Sequence, residues 1–188
     1  MVPLLILLAI LVFAGIAVVG IYNGLVQLRV RADNSWSDID VQLKRRHDLV
    51  PNLVETVKGY ATHERGTFEN VARSRSAAMS ATSAADRAQA EGQLTQALRG
   101  LLAVAEAYPD LKANTQFQSL QQSLSELEDA LQNSRRYYNA VVRDLNTKIA
   151  QFPSNIIAGM FGFNVREFFE LKDAAQREAP KVSFGASA

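Results

Sequence analysis

The sequence predicts an all-α protein in which an N-terminal transmembrane helix precedes an elongated up-down-up-down four-helix bundle with two long and two shorter helices. Three features predict this class. An unbroken apolar run begins the chain, and apolar residues recur with heptad spacing along most of the remainder. No stretch alternates apolar and polar residues with the period of two that β-strands show.

The apolar run covers residues 2–21 and contains no charged side chain. As a helix it would span roughly 30 Å, the thickness of the hydrocarbon core of a bilayer. A secretory signal peptide is the alternative, but the run is long, no Lys or Arg precedes it, and no small-residue cleavage site follows it. We therefore expect residues 1–22 to be a retained anchor in contact with the lipid bilayer.

Composition and charge narrow the possible functions. The net charge of +1 gives no general attraction to nucleic acid, and the lack of cysteine excludes disulfides and thiolate metal sites. The basic residues nearest the anchor all follow it, namely Arg29, Arg31, Lys44, Arg45 and Arg46. The positive-inside rule then predicts a single-pass topology with the N-terminus outside and the bundle in the cytoplasm.

The bundle is predicted to occupy residues 23–150, and its first helix covers about residues 22–63. The apolar stripe of this helix has coiled-coil spacing and consists of Trp36, Ile39, Leu43, Arg46, Val50, Leu53, Val57 and Tyr60. Pro51 should bend the helix, because proline removes one backbone hydrogen bond. The charge of Arg46 lies within the stripe and needs a partner, for which Glu128 and Asp129 are candidates. We interpret Arg46 as a residue that sets helix register.

Two shorter helices follow, at about 64–79 and from Ser83 to about residue 107. Ser83 with Asp86 forms a capping box for the third helix. The Ala/Ser-rich stretch 74–86 between them is predicted to fray into a mobile hairpin tip.

The fourth helix is predicted at 115–150, after Pro109 has ended the third. Thr115 with Gln118 repeats the capping signature at its start. The stripe of this helix consists of Phe117, Leu120, Leu124, Leu127, Leu131, Tyr138, Val142, Leu145 and Ile149.

Helix lengths predict the shape of the bundle. The first and fourth helices would be ~60 Å and ~54 Å long, and the other two roughly half as long. The short pair can therefore cover only the distal half of the long pair, and the hairpin tip lies at mid-height. The remaining apolar surface must meet the C-terminal segment, another subunit, or both. Asp40 should then lie near Arg136 or Arg143.

No catalytic, cofactor-binding or metal site is predicted. His63-Glu64 begins like the zinc motif H-E-x-x-H, but Thr67 stands where the second histidine is needed. His47 and Asp48 resemble a catalytic dyad only in sequence, because adjacent helical residues do not face each other.

The C-terminal segment, 151–188, is rich in phenylalanine, and two interpretations of it stay open. It could cover the open end of the bundle, or it could present an aromatic surface to the bilayer or to a partner. The candidate contact residues are Phe152, Phe161, Phe163, Phe168 and Phe169.

Five blocks of this sequence resemble the bacterial LemA family. They are WSDIDVQLKRRHDLVPNLVETVKGY at 36–60, RRYYN at 135–139, FPSN at 152–155, FGF at 161–163 and APKVSF at 179–184. The residues singled out for register and for this resemblance are Trp36, Asp40, Arg46, Asp48, Pro51, Asn52, Arg136, Tyr138 and Asn139. The resemblance implies a bacterial inner-membrane protein with a mostly cytoplasmic helical body and no defined reaction. It also implies a role in membrane organisation, since one relative acts in building magnetosome membranes and others are encoded near membrane proteases.

These observations lead to three hypotheses about function. We expect a scaffold that forms homo-oligomers at the membrane and organises or remodels it, without catalysis. The alternative is an adaptor that presents its bundle or its Phe-rich segment to a membrane enzyme such as a protease. A zinc hydrolase that uses His63 and Glu64 is disfavoured, because the chain supplies no convergent set of ligands.

Overall fold

The computed structural model describes residues 1–170, which form six α-helices and contain no strand within that range. The helices are α1 (Val2–Lys58), α2 (Arg65–Ser80), α3 (Ala84–Glu106), α4 (Pro109–Ala113), α5 (Thr115–Ala150) and α6 (Ser154–Met160). The predicted all-α class is confirmed, with α1, α2, α3 and α5 as the helices of the bundle. The sequence block at 179–184 lies outside the described residues.

The anchor and the first helix of the bundle are one uninterrupted helix. α1 continues through Pro51 and ends at Lys58, earlier than predicted, where Gly59 follows directly. Glycine is a poor helix former, and the next residues form turns. Residues 1–20 are all exposed, because no other described element reaches them. A helix that is apolar on every face and unpacked is typical of a segment in contact with lipid.

The hairpin between α2 and α3 is tighter than the sequence suggested. α2 continues through Ser80, so the prediction that the chain frays from residue 74 onward was wrong. Alanine is the best helix former, and Ser74 and Ala78 are buried against the bundle, which stabilises this last part of α2. The predicted cap of α3 is confirmed, since Ser83 Oγ accepts a hydrogen bond of 3.0 Å from the amide of Asp86.

The connection between α3 and α5 contains a short helix that was not predicted. α3 ends before Pro109 as expected, but this proline then begins α4, where its missing N–H has no helical partner to lose. The prediction that Thr115 caps the next helix was wrong. Asn114 is the cap, and its Oδ1 accepts a hydrogen bond of 3.0 Å from the amide of Phe117. Asparagine is among the strongest capping residues.

Two hydrophobic cores lie one above the other along the bundle. The distal core joins the last third of α1 to α2, α3, α4 and the start of α5. The proximal core joins the part of α1 that follows the anchor to the second half of α5 and to α6. α1 and α5 run antiparallel through both cores, as the contacts of Arg46 with Glu128 and of Trp36 with Tyr138 show.

The α2–α3 tip lies beside the middle of the bundle portion of α1, as predicted from helix lengths. Arg87, in the first turn of α3, forms an ion pair with Asp40 and also donates to the carbonyl of Ala81 in the tip. The prediction that Asp40 pairs with Arg136 or Arg143 of α5 was therefore wrong. Its carboxylate faces the start of α3 instead, which the sequence did not place beside this side of α1.

After α5 the chain folds back and covers the proximal core. α6 contributes the buried residues Ile157 and Ala158, and the extended chain after it contributes Phe163 and Phe169. Much of the apolar surface of the long helices that needed cover is thus met by the C-terminal segment of the same chain.

Candidate functional site

A charged side chain lies at the centre of the bundle, between the two cores. Arg46 of α1 is 1% exposed. Its Nη1 donates to Glu91 of α3, and its Nη2 contacts both Thr95 of α3 and Glu128 of α5, each at 2.7 Å. Glu128 was one of the two predicted partners, and the pairing is confirmed. Because three helices meet at one guanidinium, any sliding of one helix would break a charged hydrogen bond.

Glu91 is the residue at this site that sequence reasoning missed. Its side chain is fully buried, and its second oxygen accepts a hydrogen bond of 2.7 Å from Nε2 of His47. The sequence did carry a signal. Glu91 lies three residues after Ala88 and three before Leu94, both of which are buried, so it occupies the apolar stripe of α3. A carboxylate in one stripe and a guanidinium in another predict a buried pair.

The residues Arg46, His47, Glu91 and Glu128 form what we call the charge layer, and a second guanidinium, that of Arg135 on α5, completes it. Its Nε and Nη2 atoms are buried and have no hydrogen-bond partner in the described part of the chain. Burial lowers the pKa of Arg135, and the positive charge of Arg46 lowers that pKa further. The guanidinium lies 4.8 Å from the centre of the Phe169 ring, in a cation–π contact. The charge layer therefore holds one incompletely compensated cation against the C-terminal segment.

Pro51 explains how α2 is fixed to α1. A proline inside a helix cannot donate to the carbonyl four residues earlier, which here belongs to His47. Nε of Arg75 on α2 donates to that carbonyl at 2.8 Å. The proline thus leaves a backbone acceptor open, and a side chain of the neighbouring helix occupies it.

The RRYYN block holds the extended chain that follows α6, which we call the C-terminal strap (residues 163–170). Asn139 binds the backbone of Phe169 twice, donating to its carbonyl at 3.2 Å and accepting from its amide at 2.8 Å. Tyr138 donates to the carbonyl of Glu167 at 3.0 Å. Burial raises the pKa of Tyr138. The ring of Trp36 lies 5.2 Å from that of Tyr138 and 5.9 Å from that of Phe169, which joins α1 to the strap.

Asn146 repeats the arrangement of Asn139 two turns further along α5. Its Nδ2 donates to the carbonyl of Arg166, and its Oδ1 accepts from the amide of the same residue, both at 2.9 Å. Arg166 also pairs with Asp33 of α1 at 2.5 Å. Sequence reasoning missed these three residues. The available signal was the seven-residue spacing of the two asparagines, which places them on one face of a helix.

The other residues singled out by the sequence lie away from the strap and the charge layer. Asp48, Pro51 and Asn52 are exposed on α1. Arg136 is exposed on α5 and donates to the neighbouring Asn133.

The phenylalanines of the C-terminal segment divide into two groups. Phe163 and Phe169 are buried and Phe168 is partly buried, all in the proximal core. The exposed group, which we call the α6 patch, contains two phenylalanines and two aliphatic residues of α6, with exposed fractions of 76% for Phe152, 54% for Ile156, 72% for Met160 and 52% for Phe161.

The histidine and carboxylate that resemble a zinc motif lie at the turn before α2. Glu64 stands at the N-terminal boundary of that helix and forms no side-chain cap there. Within residues 1–170, no three His, Asp or Glu side chains are grouped as ligands for a metal ion. In the charge layer, Arg46, His47, Glu91 and Glu128 bond to one another, and this pairing fixes helix positions.

The fold and these contacts define a membrane-associated helical protein. Among the described residues, one helix, α1, contains a segment that is long and apolar enough to cross a membrane, and none of that segment is buried. The chain belongs to the LemA family, whose sequence model matches residues 35–184.

Relatives of this chain include proteins named as magnetosome proteins and a protein named LemA. The chain is 27% identical over 179 residues to magnetosome protein MamQ 2 of Paramagnetospirillum magneticum, in an alignment that covers 81% of this chain and 66% of the relative. It is 25% identical over 179 residues to magnetosome protein MamQ of Magnetospirillum gryphiswaldense, with the same coverage. It is 28% identical over 142 residues to protein LemA of Metamycoplasma hominis, covering 74% of this chain and 64% of that protein. The chain therefore spans slightly less than two thirds of the length of these relatives.

Proposed function

We propose that this protein is a membrane-anchored helical scaffold that self-associates and organises or remodels the bacterial inner membrane, without catalysis. The observation that carries the proposal is the continuity of α1 from Val2 to Lys58. One rigid rod of ~86 Å contains both the apolar segment and the spine of the bundle. Any tilt of the body is therefore transmitted directly to the segment in the bilayer. The likeness to magnetosome proteins supports a role at a membrane.

Rigid coupling between anchor and body can be tested by interrupting it. A flexible Gly/Ser insertion after Ile21 would let the body move independently of the anchor. A matched insertion after Thr62, in the turn between α1 and α2, leaves the rod intact. Purified protein would be reconstituted into vesicles at increasing protein density and imaged by cryo-electron microscopy. We expect the native chain and the Thr62 insertion to deform or cluster the vesicles, and the Ile21 insertion to lose this effect. Vesicles that stay unchanged with the native chain would overturn the remodelling function.

Self-association is a separate part of the proposal, because it depends on surfaces that the described chain leaves open. The C-terminal segment covers the proximal core. The apolar surface that stays available to another copy is therefore mainly that of residues 2–20 of the anchor. Light scattering of detergent-solubilised protein should give a mass above that of one chain. A monomer at every concentration, both in detergent and in nanodiscs, would refute this part.

An adaptor for a membrane enzyme, such as a protease, is the second candidate. It is favoured by a groove between α1 and α2, which Pro51, Val54, Lys58, Val71 and Arg75 line. Glu55 is exposed and is one of the residues that line it. A photoreactive residue at position 55 in cells should trap one membrane enzyme under the adaptor hypothesis. Crosslinks to lipid or to a second copy alone would favour the scaffold.

A further inference from the structure

We propose that the α6 patch is a second membrane contact, which inserts into the interfacial layer of the same bilayer that holds α1. The patch consists of Phe152, Ile156, Met160 and Phe161, all of them exposed. This inference rests on the membrane anchoring in the proposed function, and it adds an interfacial membrane contact beside the transmembrane helix.

The position of the patch along α1 places it at the membrane surface. The apolar run ends at Ile21, and the ring of the next residue, Tyr22, lies 4.8 Å from the ring of Phe161. Tyrosine is enriched at the boundary between hydrocarbon and headgroups, where its ring is apolar and its hydroxyl hydrated. α5 runs toward the same level. Lys148, near its end, lies so close to Gly24 that a side chain at position 24 would collide with its ammonium group. Phe152 follows beyond the end of α5.

The two sides of α6 differ as an interfacial helix requires. Ile157 and Ala158 are buried against the proximal core. Ile156 and Met160 are four residues apart, so they share one side of the helix, and both are exposed. A short helix with one side packed on protein and an apolar side left open can bury the open side only in a second apolar medium.

Cationic side chains lie just beyond the patch, on the side away from the anchor. Arg29 lies 5.1 Å over the ring of Phe163, and the ammonium of Lys148 lies over the backbone of Gly24. This order, apolar run, aromatic rings and then cations, follows the polarity profile of a bilayer from hydrocarbon to phosphate. Because Phe161 of the patch contacts Tyr22, the residue that directly follows the apolar run, lipid is the occupant that this arrangement fits.

Fluorescent labelling at single cysteines tests the contact, since the native chain has no cysteine. Met160→Cys reports on the patch, and Met79→Cys is the matched control, because Met79 is an exposed methionine of α2 that lies beside Asp40 and Lys44, well beyond the end of the apolar run. Each full-length variant, labelled with an environment-sensitive dye, is reconstituted into vesicles of phosphatidylethanolamine and phosphatidylglycerol. We expect the label at position 160 to shift to shorter wavelength and to be quenched by nitroxide-bearing lipid but protected from iodide. The label at position 79 should show the opposite behaviour.

Two results would overturn the proposal. The label at position 160 could be quenched by iodide as strongly as the label at position 79, which would mean that the patch faces water. It could also be protected from both quenchers, which would mean that protein covers it. Ile156→Cys serves as an independent second site on the same side of α6. Resistance of each variant to extraction by alkaline carbonate shows whether the anchor is still inserted. Absence of the membrane contact at the α6 patch can thus be distinguished from loss of anchoring.

Discussion

Removing the charge of Glu91 should destabilise the bundle more than any exposed charge substitution. Glu91→Gln keeps the size of the side chain but leaves Arg46 with one carboxylate, that of Glu128, whose side chain is 36% exposed. It also removes the acceptor of His47. The central layer would then contain two guanidinium groups, those of Arg46 and Arg135, and only one partly solvated anion.

The magnitude follows from the two contacts that are lost. Each hydrogen bond to a buried charge contributes about 1.5–3 kcal/mol, and breaking a buried ion pair from one side costs about 3–5 kcal/mol. Glutamine can still accept one hydrogen bond from Arg46, and Glu128 still balances part of the charge. We therefore expect the free energy of unfolding to fall by ~3 kcal/mol, the lower end of that range.

Urea unfolding of the full-length protein in mild detergent, followed by circular dichroism, measures this loss. The transmembrane part of α1 should stay helical in the micelle and contribute a constant baseline. Glu55→Gln is the matched control, because Glu55 forms an exposed ion pair with Lys58 at 2.6 Å. Exposed pairs contribute ~0–1 kcal/mol, so this variant should barely shift the transition.

Replacing both partners of the buried pair separates charge from packing. Arg46→Met combined with Glu91→Leu should unfold at a higher urea concentration than Glu91→Leu alone, because the guanidinium of Arg46 is then no longer buried without its carboxylate partner from α3. If Glu91→Gln costs no more than Glu55→Gln, the buried charge of Glu91 does not stabilise the bundle. The same conclusion holds if the double replacement is less stable than Glu91→Leu by the full effect of losing Arg46.

Three further predictions concern the helix contacts and the strap. Arg75→Leu should lower the free energy of unfolding by ~1 kcal/mol in the native chain but by less in a Pro51→Ala background, because alanine restores an N–H donor to the carbonyl of His47. Urea unfolding of the native chain, the two single variants and the double variant measures the coupling, and simple additivity would contradict the contact between Arg75 and that carbonyl. Asn139→Ala should release the strap at a cost of about 1–3 kcal/mol, seen as faster amide hydrogen exchange in residues 163–170, whereas unchanged exchange would show that apolar packing alone holds it. The pKa of Tyr138 is raised in the folded state, so between pH ~10 and that raised pKa its hydroxyl is protonated in the folded protein but ionised in the unfolded chain. The stabilising contribution of Tyr138 is therefore complete below pH ~10 and is lost as the pH rises through the folded-state pKa. Tyr138→Phe should abolish that alkaline part of the pH dependence in urea unfolding, and an unchanged pH profile would refute the assignment.

Local patterns in the sequence were sufficient to predict the four helices of the bundle, but not the short helices α4 and α6. The spacing of three and four residues in the stripes of α1 and α5, and the cap at Ser83, depend on contacts within one helix or on which face is apolar. For that reason the class, the helix count of the bundle and the mid-height position of the α2–α3 tip were correct. The errors at Ser74 and Thr115 concern helix ends. Burial against the bundle extends α2 six residues beyond Ser74, and a competing cap moves the start of α5 by one residue.

A contact between side chains of different helices could be predicted only where a charged residue in an apolar stripe required a partner of opposite charge. Arg46 in an apolar stripe required a carboxylate, and Glu128 was found because α1 and α5 are long enough to fix their relative register. Asp40 was assigned to α5 although α3 lies beside it, since the packing of the shorter helices around the long pair is not written in their periodicity.

The sequence alone determined that this chain has an apolar rod at one end and amphipathic helices of unequal length after it, because both properties follow from the order of apolar and polar residues. Tertiary structure decided which side chains meet. Glu91 reaches Arg46, Arg75 reaches the carbonyl opposite Pro51, and the strap returns to Asn139. The reason is physical: these contacts join residues far apart in the chain, and their geometry depends on how all the helices pack at once.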